Sequence, residues 1–205
     1  MKTYIAIAAA TLNTLLLAAD PQVDSTPSEA ERLAAKAKLS ELLKRENYGD
    51  KAAVAEAATL RPEFAIPFLE SSARDKSTDP ERAEIARKAL AGIKGVEDYY
   101  VKKLNALLGR QDFKAASARS TIFGALSLIR TKKVILIFAS YLSDDTPGVN
   151  DGDAIYYAPR EDAARCLMAM NLPGAPPEVP GETGDAFVQK WRAWWTANKD
   201  KYQKE

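Results

Sequence analysis

Residues 116–145 read ASARSTIFGALSLIRTKKVILIFASYLSDD, and this stretch decides the fold. Ile122, Ala125, Leu126 and Ile129 stand at i, i+3, i+4, i+7, which is one face of a 3.6-residue helix. A break follows near Arg130–Thr131. Thr131 is a plausible N-cap for a second helix, with Lys132 and Lys133 in its first turn. Val134, Ile135, Ile137, Phe138, Tyr141 and Leu142 then make a broad apolar surface. A run such as VILIF also fits a buried strand. Its length with flanks, about three turns, and the lack of partner strands elsewhere favour helix. Each half carries an apolar side that it cannot bury alone, so such pairs stack on one another.

Outward from this stretch, start and stop signals divide the chain into more helices. Ser28 opens SEAERLAAKAKLSELLKREN with Glu31 three residues on, a capping box. Leu33, Ala37, Leu39, Leu42 and Leu43 give a moderate apolar stripe, and Asn47–Gly49 ends the helix. Asp50 caps KAAVAEAATL, which Arg61–Pro62 terminates. Pro62 fits the first turn of the next helix, whereas Pro67 is expected to kink or interrupt it. Asp79–Pro80 is an N-cap followed by a helix-starting proline. ERAEIARKALAGI and VEDYYVKKLNALLG follow, stopped by Gly95 and Gly109. Residues 146–160 (TPGVNDGDAIYYAPR) read as the longest irregular stretch. REDAARCLMAMNL is then helical, and PGAPPEVPGE is a proline-rich loop. The end, TGDAFVQKWRAWWTANKDKY, is a long amphipathic helix with Thr183 or Asp185 as cap.

Three of these helices share a pattern. Ala89-Leu90-x-x-Ile93 matches Ala125-Leu126-x-x-Ile129 and then Cys166-Leu167-x-x-Met170, with a weaker copy at Ala57-Ala58-x-Leu60. Spacings of about 35–45 residues, with two helices each, mark helical solenoids. On the segments ARKALAGI, ARSTIFGALSLI with KKVILIFASYLSDD, and PREDAARCLMAM, residues 49–172 resemble the HEAT-repeat family of helical repeats. The first copy is short and carries Pro67, and a proline-rich loop separates the last repeat helix from its partner. The resemblance implies an interaction scaffold and transfers no catalytic residue. The expected fold is all-α: a short right-handed α-solenoid of antiparallel helix pairs over residues 28–205, closed by a Trp-rich capping helix at 183–203. Phe187, Trp191, Trp194 and Trp195 form the aromatic face of that helix, and sealing an open end is the reading preferred over a partner or glycan platform.

The N-terminus reads as an address. MKTYIAIAAATLNTLLLAAD has one lysine, an apolar core and a small-residue end. It is short for a membrane span and interrupted by Thr11, Asn13 and Thr14. The expectation is a secretory signal peptide over residues 1–19, a turn-rich linker over 20–27, an exported protein, and no stable membrane insertion after cleavage. No lipobox cysteine follows.

Composition narrows the chemistry. The 205 residues include no histidine and one cysteine, Cys166. That removes His-dependent triads, the usual zinc sites and any intramolecular disulfide. No phosphate loop or dinucleotide fingerprint is present, so no cofactor is expected. Asp144, Asp145, Asn150, Asp151 and Asp153 crowd one loop with hard oxygen ligands, but their spacing is not that of an EF-hand. Formal net charge is +1, and it falls to zero without Lys2, so nucleic acid is not an expected partner. Charge is uneven along the chain. Residues 99–133 hold eight bases against Asp112, and residues 134–185 hold nine acids against Arg160 and Arg165. Neutralisation between adjacent repeats is the plain account. A basic surface for a protein partner with an acidic segment is the sharper one, with Lys102, Lys103, Lys132, Lys133, Tyr156 and Tyr157 as its contact residues. Two other functions stand beside this non-catalytic binding reading. One is an enzyme or enzyme accessory that acts on cell-wall or glycan material through a carboxylate pair. The other is a structural domain with no partner of its own.

Overall fold

The computed structural model describes residues 26–47, 49–74, 79–150, 152 and 155–203. The signal-peptide expectation and most of the linker lie outside the described residues. Among them the chain forms nine α-helices and one two-stranded hairpin, so the fold is all-α apart from four strand residues. The helices are α1 (Glu29–Asn47), α2 (Lys51–Ala57), α3 (Pro62–Arg74), α4 (Pro80–Gly92), α5 (Val96–Asn105), α6 (Phe113–Leu126), α7 (Lys132–Tyr141), α8 (Pro159–Ala169) and α9 (Gly184–Gln203). The hairpin, β1 (Val149–Asn150) and β2 (Ile155–Tyr156), pairs Val149 with Tyr156 and Asn150 with Ile155.

Local chemistry explains most helix starts. Ser28 and Glu31 form the capping box reciprocally: Ser28 N donates to Glu31 Oε2 at 2.7 Å and Glu31 N donates to Ser28 Oγ at 3.2 Å. The carboxylates of Asp50, Asp79 and Asp112 accept from Ala52 N, Arg82 N and Ala115 N at the starts of α2, α4 and α6. Each satisfies a backbone donor that an uncapped helix would leave open. Residues 132–141 are helical, so the strand alternative for VILIF is excluded. Pro67 does not interrupt α3, which runs continuously from Pro62 to Arg74. The proline sits on the exposed side, where water can take over the backbone carbonyl it frees. Two strands fall inside the stretch expected to be irregular, because tight pairing of so few residues leaves no alternation to read.

Three turns carry the sequence repeat in the same geometry, and the weaker copy makes a similar turn one residue out of register. Leu60 N donates to Ala57 O at 3.1 Å, Ile93 N to Leu90 O at 3.2 Å, Ile129 N to Leu126 O at 2.9 Å, and Met170 N to Leu167 O at 3.2 Å. Ala57, Leu90, Leu126 and Leu167 are all fully buried. Each of α2, α4, α6 and α8 therefore ends in one tightened turn at its repeat motif. Contacts run between neighbours and next neighbours: α3 meets α4 and α5, α5 meets α6 and α7, and α7 meets α8 and α9, while α2 meets α4 and α6 meets α8.

Between α6 and α7 the link is aromatic. The Phe123 ring packs edge-on against Phe138 at 5.5 Å and Tyr141 at 4.9 Å. Burial of these rings contributes about 1.5–3 kcal/mol each. In α9, Phe187, Val188, Trp191 and Trp194 are buried, and the helix packs on α7 and α8. Trp195 is half-buried at the edge, with Trp194 and Tyr202 as ring neighbours.

Candidate functional site

The six contact residues expected from the sequence fall into two places. Lys102 and Lys103 end α5, and Lys132 and Lys133 begin α7. All four are exposed. Lys133 Nζ lies 2.6 Å from Asp98 Oδ1, one turn before Lys102, and Lys103 Nζ lies 4.2 Å over the Tyr99 ring. Asp98 and Glu97 stand just outside the window that read as strongly basic. Of the other bases in that window, Arg110 pairs with Asp112 at 3.0 Å, and Arg119 is buried and donates to Arg110 O. Among the acids of 134–185, Glu161 and Asp185 pair with Arg165 and Arg160 of their own segment, and Glu182 and Asp145 meet Lys190 and Arg192 of α9. Between the two segments, Arg119 lies near enough to Asp162 to act on its carboxyl.

Tyr156 and Tyr157 are on and beside β2, which packs with β1 against α6. Tyr156 points inward, edge-on to Phe113 at 5.1 Å. Ile155, its neighbour along the strand, points outward and is 69% exposed. Tyr157 is 42% exposed, with the Arg165 guanidinium 4.3 Å from its ring centre. That guanidinium lies 5.6 Å from the Phe187 ring and 3.0 Å from Glu161 Oε1. The arginine is held between two rings and a buried carboxylate, so Tyr157 is fixed from below while its outer face stays open. Ile155, two residues from Tyr157, and Phe113, on the Tyr156 side of the strand, are exposed hydrophobics that the sequence reading missed. Phe113 precedes the periodic part of α6, and Ile155 sits in a strand too short to show alternation.

Behind this surface lies a polar seam between α6 and α8. Burial pushes the Asp162 carboxyl up to about 6, against a hydrogen bond from Ser120 and the Arg165 charge. Burial, then the nearby Asp162 charge, pushes the Cys166 thiol up to about 12, and the thiol donates to Phe123 O at 3.7 Å. Burial likewise raises Tyr141 to about 12, with Asp144 adding to the rise and Arg119 opposing it. Such a thiol stays protonated at neutral pH and is a poor nucleophile. Glu161 and Asp162 are adjacent on α8 and therefore diverge, one toward Arg165 and the other toward Ser120. They do not converge on a common point as a glycosidase pair does.

In the acidic loop, Asp144 Oδ1 accepts from Thr146 N and Asn150 Oδ1 from Gly152 N, so both serve as local turn caps. Asp145 is exposed, with Arg192 at 4.0 Å. Asp151 and Asp153 lie outside the described residues. Among the described residues no three His, Cys, Asp or Glu side chains gather as a metal site, and no helix is long and apolar enough to cross a membrane.

No protein-family model, no curated protein and no solved structure matches this chain.

Proposed function

We propose that this protein is an exported, non-catalytic binding scaffold. In this reading it is a short right-handed α-solenoid of HEAT type, four helix pairs preceded by α1, with the Trp face of α9 closing one end. The three equivalent buried turns and the next-neighbour helix contacts support the solenoid. The leader sequence supports export.

The binding role rests on one observation: Ile155 and Tyr157, two residues apart on the outward side of the hairpin, are both exposed, with Tyr157 fixed by Arg165. Two exposed apolar side chains side by side, one of them held in place, suit a partner protein. Lys102, Lys103, Lys132 and Lys133 would add attraction for an acidic segment of that partner, although Asp98 weakens it at Lys133.

The test is affinity capture from the exported fraction with tagged wild type and with the I155S/Y157S variant. A partner retained by the wild type and lost by the variant supports the reading. Identical capture by both sinks the surface. N-terminal sequencing of the recovered protein tests export: a chain beginning at Asp20 is expected, and one beginning at Met1 overturns the cleaved leader.

A further inference from the structure

The leucines of α1 do not share one side. Leu33 and Leu42 are nine residues apart, which on a 3.6-residue helix puts them on opposite faces. Leu42 is fully buried, together with Ala35. Leu33 is 63% exposed and Leu43 49% exposed. A surface helix normally keeps its second face polar. Here Leu43, with Leu39 one turn before it, lines a groove between α1 and α3.

The floor of the groove is Leu39 and Leu43 from α1 with Phe64 and Phe68 from α3, around about 280 Å³ of open volume. Its rim carries Arg32 and Lys36. Neither side chain has a partner among the described residues, whereas Lys38 and Arg45 on the same helix are tied, both binding Glu41 and Glu56. Ser40 does not compete for a ligand, since its hydroxyl donates to Lys36 O at 2.9 Å. Two unused cations beside an apolar trough between two helices call for a ligand with an apolar ridge and negative flanks. The concavity suits a ridge of side chains, whereas a bilayer offers a flat surface.

We infer that the α1–α3 groove docks an amphipathic helix of a partner protein, with its apolar ridge on Leu39, Leu43, Phe64 and Phe68 and its acidic side chains against Arg32 and Lys36. This is helix-in-groove recognition, with the charges setting register and the choice of partner. The inference rests on the reading of the protein as a binding scaffold, and it adds a second surface away from the hairpin.

The test is selection from a displayed library of helical 18-residue peptides on the protein with residues 20–205, counter-selected against L43E. Enriched peptides are expected to carry apolar residues at i, i+3/i+4, i+7 flanked by Glu or Asp. Their affinity, read by fluorescence polarisation, is expected to fall about tenfold on R32E/K36E. Exchange of their acids for Lys is expected to restore binding to that variant. All three substituted positions are exposed, so the fold survives these changes. No enrichment over L43E, or enriched peptides without an acidic bias, overturns the inference. Equal L43E-sensitive binding to phosphatidylglycerol vesicles also overturns it, in favour of a membrane contact. Loss of the groove result with hairpin-dependent capture intact removes this surface alone. Failure of both removes the scaffold reading.

Discussion

The Thr131 hydroxyl joins two helix pairs: it donates to Glu97 Oε1 at 2.8 Å and accepts from Val134 N at 3.3 Å. One oxygen thus caps α7 and ties that cap to the first turn of α5, two helices earlier. The Lys133–Asp98 pair lies beside it, so the N-cap and the second residue of α7 meet two adjacent acids of α5. Cap formation and docking of α7 on α5 are therefore one event.

Removal of that hydroxyl loses both roles. T131A is expected to destabilise the protein by about 1–2 kcal/mol, and T131S by much less. E97Q, which keeps an acceptor, falls between wild type and T131A. Urea unfolding followed by circular dichroism checks the order; equal midpoints for T131A and wild type would refute it.

Asp162 makes stability depend on pH. Its folded-state value is raised to about 6 by burial, above the ordinary carboxyl value of about 4. The folded state therefore holds the proton more tightly than the unfolded state. The contribution is complete below about pH 4 and is lost as pH rises through 6. D162N removes this dependence and is expected to stabilise the fold at pH 7 by about 1 kcal/mol, allowing for partial solvent screening. Melting temperatures of both proteins between pH 4 and 8 decide this. Parallel curves would show that Asp162 does not titrate differently on folding.

Cys166 is expected to resist thiol reagents in the folded protein. With its thiol pushed up to about 12, thiolate at pH 8 is roughly a thousandfold scarcer than for an ordinary cysteine. Reaction with a chromogenic disulfide is expected to be slow in buffer and rapid in urea. Similar rates in both would contradict its burial between α6 and α8.

Gly148 is required by space. A Cβ there would lie 2.6 Å from Tyr156 O and 3.0 Å from Ala158 N, both backbone atoms that cannot rotate away. G148A is expected to cost about 1–3 kcal/mol locally and to loosen the hairpin. Amide hydrogen exchange at Val149 and Tyr156 should quicken while that of α4 and α5 stays unchanged. If hairpin exchange is unaltered, the close approach is not obligatory.

Trp191 is fully buried, with Trp194 at 5.4 Å, where α9 meets α7 and α8. W191A is expected to cost about 3–5 kcal/mol by leaving a cavity. W195A, at the half-buried edge, should cost far less. Thermal unfolding of the two variants measures the difference, and equal losses would argue against inward packing of the aromatic face.

Sequence alone determined the helices. Caps at Ser28, Asp50, Asp79, Asp112 and Thr131 act within three residues of themselves, so they operate before any tertiary contact exists. The repeat motif was legible for the same reason, since each leucine and its following turn are a local arrangement. What only tertiary structure decided were the surfaces. Asp98 pairs with Lys133 and Glu97 accepts from the Thr131 hydroxyl, each more than 30 residues away, which no window along the chain can reveal. Leu42 and Leu43 differ in sequence by nothing, yet one is buried and the other lines a groove, because α2 and α3 cover only one side of α1. The exposed hairpin arises because two short strands lie against α6, where Phe113 meets Tyr156 across 43 positions of chain. Burial and charge pairing depend on which helices meet. Helix formation depends on the neighbours a residue already has.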